Sequence, residues 1–269
     1  MFDERRHDID ALRSIALFLL IFYHLAVSFT SVAKWILFVP NNKPIDNIWS
    51  LLSIFNIWRI PLLFIIAGIA LRFSYQNRGV GKLFKERFKR LGIPYLFGVV
   101  TFVPLYIIIS AQFIYGDMSL DDNIGVLITS IFTGGHLWFL INILIYCLLL
   151  IPIIGFISNK KRGYKFVDSI LKIRGGVLLF SIPIILEGYL LDLTAYKEDI
   201  AYGNSYSEYY GTDHGLLLGF IWFLIGIVLT SQGDTFWEYN IKNINTHALI
   251  GVPLLINRFV NEFEVANTL

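Results

Sequence analysis

Apolar runs of about twenty residues recur along this chain, the length a helix needs to cross a hydrocarbon core of about 30 Å. They fall at 11–31, 48–71, 94–115, 136–157, 175–191 and 215–231, with a shorter one at 246–260. A soluble core could hold such runs only if enough charged residues remained to cover it. They do not remain: of 269 residues, 56% are hydrophobic and only 16% are charged, against about 25% in soluble domains. Disorder, a disulfide scaffold and nucleic-acid binding all fit this composition poorly, and the lone Cys147 has no partner for an internal disulfide. A β-barrel would show short alternating segments rather than continuous runs. The expected fold is therefore all-α, a polytopic transmembrane bundle with about seven spans.

The run boundaries carry physical markers. Pro94 stands where a first helical turn tolerates a missing N–H. Trp49, Trp138 and Trp237 fall near the expected interfaces, where indole rings collect. Pro61, Pro104, Pro152, Pro183 and Pro253 lie inside the runs, which membrane helices accept when neighbours satisfy the freed carbonyls. The first run is too long for a signal sequence and has no small-residue cleavage site after it.

Charge then assigns the faces. Arg5, Arg6 and Arg13 precede the first run. Arg72, Arg78, Lys82, Lys85, Arg87, Lys89 and Arg90 follow the second, and Lys160, Lys161, Arg162, Lys165, Lys172 and Arg174 follow the fourth. The intervening loops are acidic instead, with Asp117, Asp121, Asp122, Asp192, Glu198, Asp199, Glu208 and Asp213. This alternation implies a cytoplasmic N-terminus in a cell membrane. The last outer loop, 192–214, is rich in tyrosine (Tyr196, Tyr202, Tyr206, Tyr209, Tyr210) and either contacts a sugar or folds over the bundle.

Ionisable residues inside a bilayer are functional candidates, because each is costly unless paired or hydrated. His24, Arg59 and Glu187 stand out. At 1.5 Å per residue, His24 lies about 16 Å above Arg13, and Arg59 and Glu187 lie about 20 Å above Arg72 and Arg174. Three titratable groups at one level suggest a shared polar cavity. The structural alternative is that Arg59 and Glu187 lock two helices while His24 makes an ordinary interhelical hydrogen bond. His136 and His214, which open the fourth and sixth runs, read as unremarkable interfacial residues, and His7 and His247 as solvated ones. No two histidines have metal-ligand spacing on one helix, so no metal site is expected.

Four stretches carry a family resemblance. Ile9-Asp10-Ala11-Leu12-Arg13-Ser14-Ile15-Ala16 is followed by His24, giving Arg, ten residues, then His. Arg59-Ile60-Pro61-Leu62-Leu63-Phe64 leads to Ala67-Gly68. Arg87-Phe88-Lys89-Arg90 precedes Pro94-Tyr95, and Gly135-His136-Leu137-Trp138-Phe139 opens the fourth run. In this order the stretches resemble the acyltransferase-3 family, multi-pass membrane O-acyltransferases of cell-envelope carbohydrates; the nearest style is that of members labelled glucan biosynthesis protein C. Two departures stand against it: Ala67 replaces the family's Ser, and from 175 to 231 only hydropathy agrees. Family members usually have more spans, so the resemblance implies a single domain over 1–260, shortened at its C-terminus, with a short tail at 261–269.

The resemblance implies transfer of an acetyl- or succinyl-type group from cytoplasmic acyl-CoA to a carbohydrate hydroxyl outside. His24 would be the base. Arg59 would stabilise the oxyanion or orient the thioester, and Glu187 would orient His24 or neutralise Arg59. Arg13, Arg72, Arg87 and Arg90 would hold the phosphates of the donor, for which guanidinium forks are suited. A membrane transporter and an inactive remnant are the competing readings.

Overall fold

A computed structural model of the chain describes residues 7–30, 33, 38–45, 48–76, 78–116, 119–133, 135–157, 164–193 and 212–268. Most of the tyrosine-rich loop (194–211), Arg5, Arg6 and the basic stretch 160–162 lie outside the described residues.

The described residues form helices and turns, with no strand among them. Four helical stretches are long and apolar enough to cross a membrane: His7–Val27, Trp58–Gln76, Val80–Tyr115 and Asp213–Thr230. Three shorter apolar ones, Gly135–Leu150, Gly176–Leu190 and Ile244–Asn257, correspond to the remaining expected runs. The architecture is an all-α membrane bundle, as the hydropathy implied.

In chain order the elements are α1 (His7–Val27), α2 (Ile48–Gln76), α3 (Val80–Arg87), α4 (Ile93–Val100), α5 (Phe102–Tyr115), α6 (Leu120–Thr133) and α7 (Trp138–Leu150). There follow α8 (Ile154–Ile157), α9 (Tyr164–Lys172), α10 (Ile182–Leu193), α11 (Asp213–Thr230), α12 (Asp234–Lys242) and α13 (Ile244–Thr268). The third expected run starts earlier than the sequence suggested. A π-turn at Phe88–Gly92 joins α3 to α4, so the helical path continues through the basic motif instead of beginning at Pro94. α6 was not expected at all. Ser119 caps its start: the Asp122 amide donates to Ser119 Oγ at 3.2 Å, an N-cap contact, and that hydroxyl donates to Asp122 Oδ2 at 2.6 Å.

α2 and α11 form the centre. A Cβ placed on Gly68 would strike the Phe223 carbonyl, and one on Gly226 would strike the Ile65 carbonyl. Lipid supplies no hydrophobic drive between helices, so close backbone approach at small residues is what lets dispersion hold them together. Around this crossing pack Ile60, Phe64 and Leu71 of α2, Leu83 of α3, Ile143, Tyr146, Cys147 and Leu150 of α7, and Leu218, Phe223 and Ile227 of α11. Tyr146 Oη donates to the Leu216 carbonyl at 2.7 Å and ties α7 to α11. α1 is a peripheral helix. It buries Ala16, Tyr23, Ala26 and Val27 and exposes Phe18, Ile21, Phe22 and Leu25. Tyr23, Ala26 and Val27 pack with Phe38 and Leu52 in a second cluster, which turns His24 toward the bundle.

Candidate active site

Arg59 is 1% exposed, the largest fully buried side chain among the described residues. Its guanidinium carbon lies 3.9 Å from the centroid of the Tyr23 ring, a cation–π contact that keeps a charge in an apolar setting. Tyr23 in turn meets His24 edge-on, with centroids 5.9 Å apart. The sequence places Tyr23 and His24 side by side, and the helix turns one fully inward and leaves the other half-buried.

His24 Nδ1 lies 2.7 Å from the carbonyl of Leu20, one turn back on α1. A carbonyl can only accept, so Nδ1 carries the proton, and in the neutral ring the lone pair sits on Nε2. The helix thereby fixes both the tautomer and the ring's direction.

The side chain beside His24 is one that reads as merely interfacial from the sequence. His136 lies with its ring centroid 5.8 Å from that of His24. Phe38 stacks on both imidazoles, at 4.7 Å from His136 and 5.7 Å from His24, and Tyr106 of α5 covers His136 at 4.5 Å. A short 3-10 turn, Gly135–Leu137, delivers it. Gly135 adopts φ +47°, and a Cβ there would come 3.1 Å from Val103 Cγ1. The turn therefore needs glycine on two counts, backbone sign and space. The Gly-His-Leu-Trp-Phe stretch carried the available signal; what it could not carry was the arrival of Phe38 and Tyr106 from distant segments.

Glu187 is buried as expected, but its partner is neither His24 nor Arg59. Its Oε1 pairs with Nδ1 of His214, and the side chains are 9% and 8% exposed. The pair fastens α10 to α11. A buried carboxylate must find a donor or cation, and His214 supplies it nearer than the residues the depth argument offered.

The expected donor-side arginines divide. Arg72 is buried, and its Nε donates to Ser231 Oγ at 3.2 Å, which itself donates to the Ile227 carbonyl at 2.7 Å. This chain of contacts joins the end of α2 to the end of α11. Arg87 reaches back from α3 and donates to the Ala70 carbonyl at 3.0 Å and to Ser74 Oγ at 2.6 Å. Its Nε is also buried and meets no hydrogen-bond partner among the described residues. Arg90 is exposed and pairs with Glu86 at 3.1 Å, and Arg78 holds the same carboxylate. Arg13, Arg78 and Arg90 lie within electrostatic reach of Arg87, which makes a cationic patch around α3. Arg78, counted in the sequence among the basic residues that set the orientation, also belongs to this patch. No three His, Cys, Asp or Glu side chains among the described residues cluster as metal ligands.

A family model described as an acyltransferase domain matches residues 6–236. The chain belongs to the acyltransferase-3 family. No curated protein and no solved structure matches it. Family membership and apolar helices together make it a multi-pass membrane protein of the acyltransferase type. The matched span includes both imidazoles, Arg59, the Glu187–His214 pair and the cationic patch.

Proposed function

We propose that this acyltransferase-3 protein moves a small acyl group, of acetyl or succinyl type, from acyl-CoA on the cytoplasmic side to a carbohydrate hydroxyl outside. The observation that carries the reading is His24: a half-buried imidazole whose Nδ1 donates to its own helix, so that in the neutral ring Nε2 is the nitrogen able to take a proton from an incoming alcohol. General-base assistance of this kind contributes about 10²- to 10⁴-fold. The basic alternation of the loops argues for a cytoplasmic N-terminus in the cell membrane. On that orientation the patch of Arg13, Arg78, Arg87 and Arg90 would face the donor phosphates, and the Arg87 Nε, which meets no partner among the described residues, has a proton to offer them.

The donor's flexible arm would then carry the thioester toward His24 while the nucleotide stays at the cationic face. Arg59, one ring away from His24 through Tyr23, supplies positive potential near the developing oxyanion. Arg72 contributes mainly by holding α2 on α11, and Glu187 by holding α10 on α11. The test is a transfer assay on the full chain in membrane vesicles, with radiolabelled acetyl-CoA or succinyl-CoA and envelope glycans as acceptors. Label on the glycan that depends on His24 is the expected result. Protein-dependent solute accumulation without acylation would establish the transporter reading in its place.

A further inference from the structure

The geometry points to His136 as a second catalytic residue, donating a hydrogen bond from Nε2 to the carbonyl oxygen of the thioester while His24 takes the alcohol's proton. This inference rests on the acyl-transfer reading above and adds a group to the same centre.

Three observations carry it. First, the imidazoles of His24 and His136 are neighbours, 5.8 Å between centroids, and they reach that position from helices far apart in the chain. Second, the His136 ring is held between Phe38 and Tyr106, so packing against aromatic faces constrains its direction. Third, its Nε2 is buried and has no hydrogen-bond partner among the described residues. A buried polar atom without a partner is uncommon and calls for an explanation; here a ligand atom provides one. The two rings also differ in what they can do. The Leu20 carbonyl commits His24 to an acceptor at Nε2, and the complementary need at an acyl centre is a donor.

The step balances. The acceptor oxygen bonds to the thioester carbon as His24 Nε2 removes its proton, and the carbonyl π pair moves onto oxygen, facing the His136 N–H. Collapse restores the C=O bond and breaks the C–S bond. The departing thiolate takes the proton that His24 holds, and the products are an ester and a thiol. His136 ends as it began.

The experiment replaces His136 by Phe, which keeps a ring between Phe38 and Tyr106 but has no N–H, and by Gln, which restores a donor. The probe is whichever of labelled acetyl-CoA and succinyl-CoA the wild type turns over onto envelope glycan. Removing one oxyanion donor costs about 10²- to 10³-fold in kcat, so H136F should fall by that factor with both KM values within about twofold, and H136Q should recover at least tenfold of the loss. Should H136F fail to fold, H136M provides the same donor-free comparison. A donor-free variant at full rate, a loss confined to KM, or a Gln variant no better than the donor-free one would each overturn the assignment while the acyl-transfer reading stands. A wild type that acylates nothing would remove that reading, and the role of His136 with it.

Discussion

The two polar regions of this bundle are built on opposite terms. Around His24, aromatic rings do much of the holding: Phe38, Tyr106 and Tyr23 pack on the imidazoles and Arg59, the Leu20 carbonyl takes only Nδ1 of His24, and the Nε2 of His136 meets no hydrogen-bond partner among the described residues. At the basic end, protein acceptors do the holding: Ser231 takes Arg72, Ala70 and Ser74 take Arg87, and Glu86 takes Arg78 and Arg90. Aromatic packing orients a polar group without using up its hydrogen-bonding capacity, whereas a carbonyl or carboxylate partner does use it. The first arrangement suits a reacting centre. The second suits a surface that binds anions and fastens helices with the same side chains.

The largest effect should come from His24. H24A is expected to lower acylation by about 10²- to 10⁴-fold, the span of general-base contributions, with membrane insertion and melting temperature close to wild type because the ring is only half-buried. A variant that inserts normally and acylates normally would dissolve the distinction between the two regions. E187A should behave in the reverse way. Removing one partner of a buried pair typically costs about 3–5 kcal/mol, so the detergent-solubilised protein should melt well below wild type, while E187Q, which still offers an acceptor to His214, should recover most of that loss. Glu187, unlike His136, is satisfied by a side chain of the protein itself. If E187A kept its stability and lost catalysis alone, it would belong with the reacting groups after all.

The same division explains what the sequence could and could not reveal. The spans were legible because apolar length is a local property, and all seven expected runs have helical counterparts. Burial of Arg59 and Glu187 was legible too, since an ionisable residue within an apolar run has few other places to go. Partner choice was not. Glu187 pairs with His214 across two helices whose relative rotation no single run encodes. His136 looked interfacial because its company comes from the segment around residue 38 and from α5. α6 was hidden for another reason: its Ser119–Asp122 start signal stands in the sequence, but in a loop read only for its charge.

Within the basic end, Arg87 and Arg90 offer the next test. Arg87 makes two hydrogen bonds to α2, and bonds from a charged donor are worth about 1.5–3 kcal/mol each. R87A should therefore lower the melting temperature and also weaken acetyl-CoA binding about tenfold. R87K keeps the charge but replaces a fork that spans two acceptors with a single ammonium, and should restore donor affinity more fully than stability.

Arg90 should give the smallest effect and the cleanest one. Its side chain is 68% exposed, and its partner Glu86 is also held by Arg78. Exposed ion pairs contribute at most about 1 kcal/mol and weaken as salt is added. R90A should accordingly leave the melting temperature unchanged while acetyl-CoA binding, measured by calorimetry in detergent, falls a few-fold at low ionic strength and converges on wild type in high salt. Convergence identifies Arg90 as a screened, long-range contributor beside an Arg87 that acts at contact distance. A salt-independent loss, or a drop in stability equal to that of R87A, would mean that both arginines serve the helix junction, and the basic end would then lose its claim to the donor.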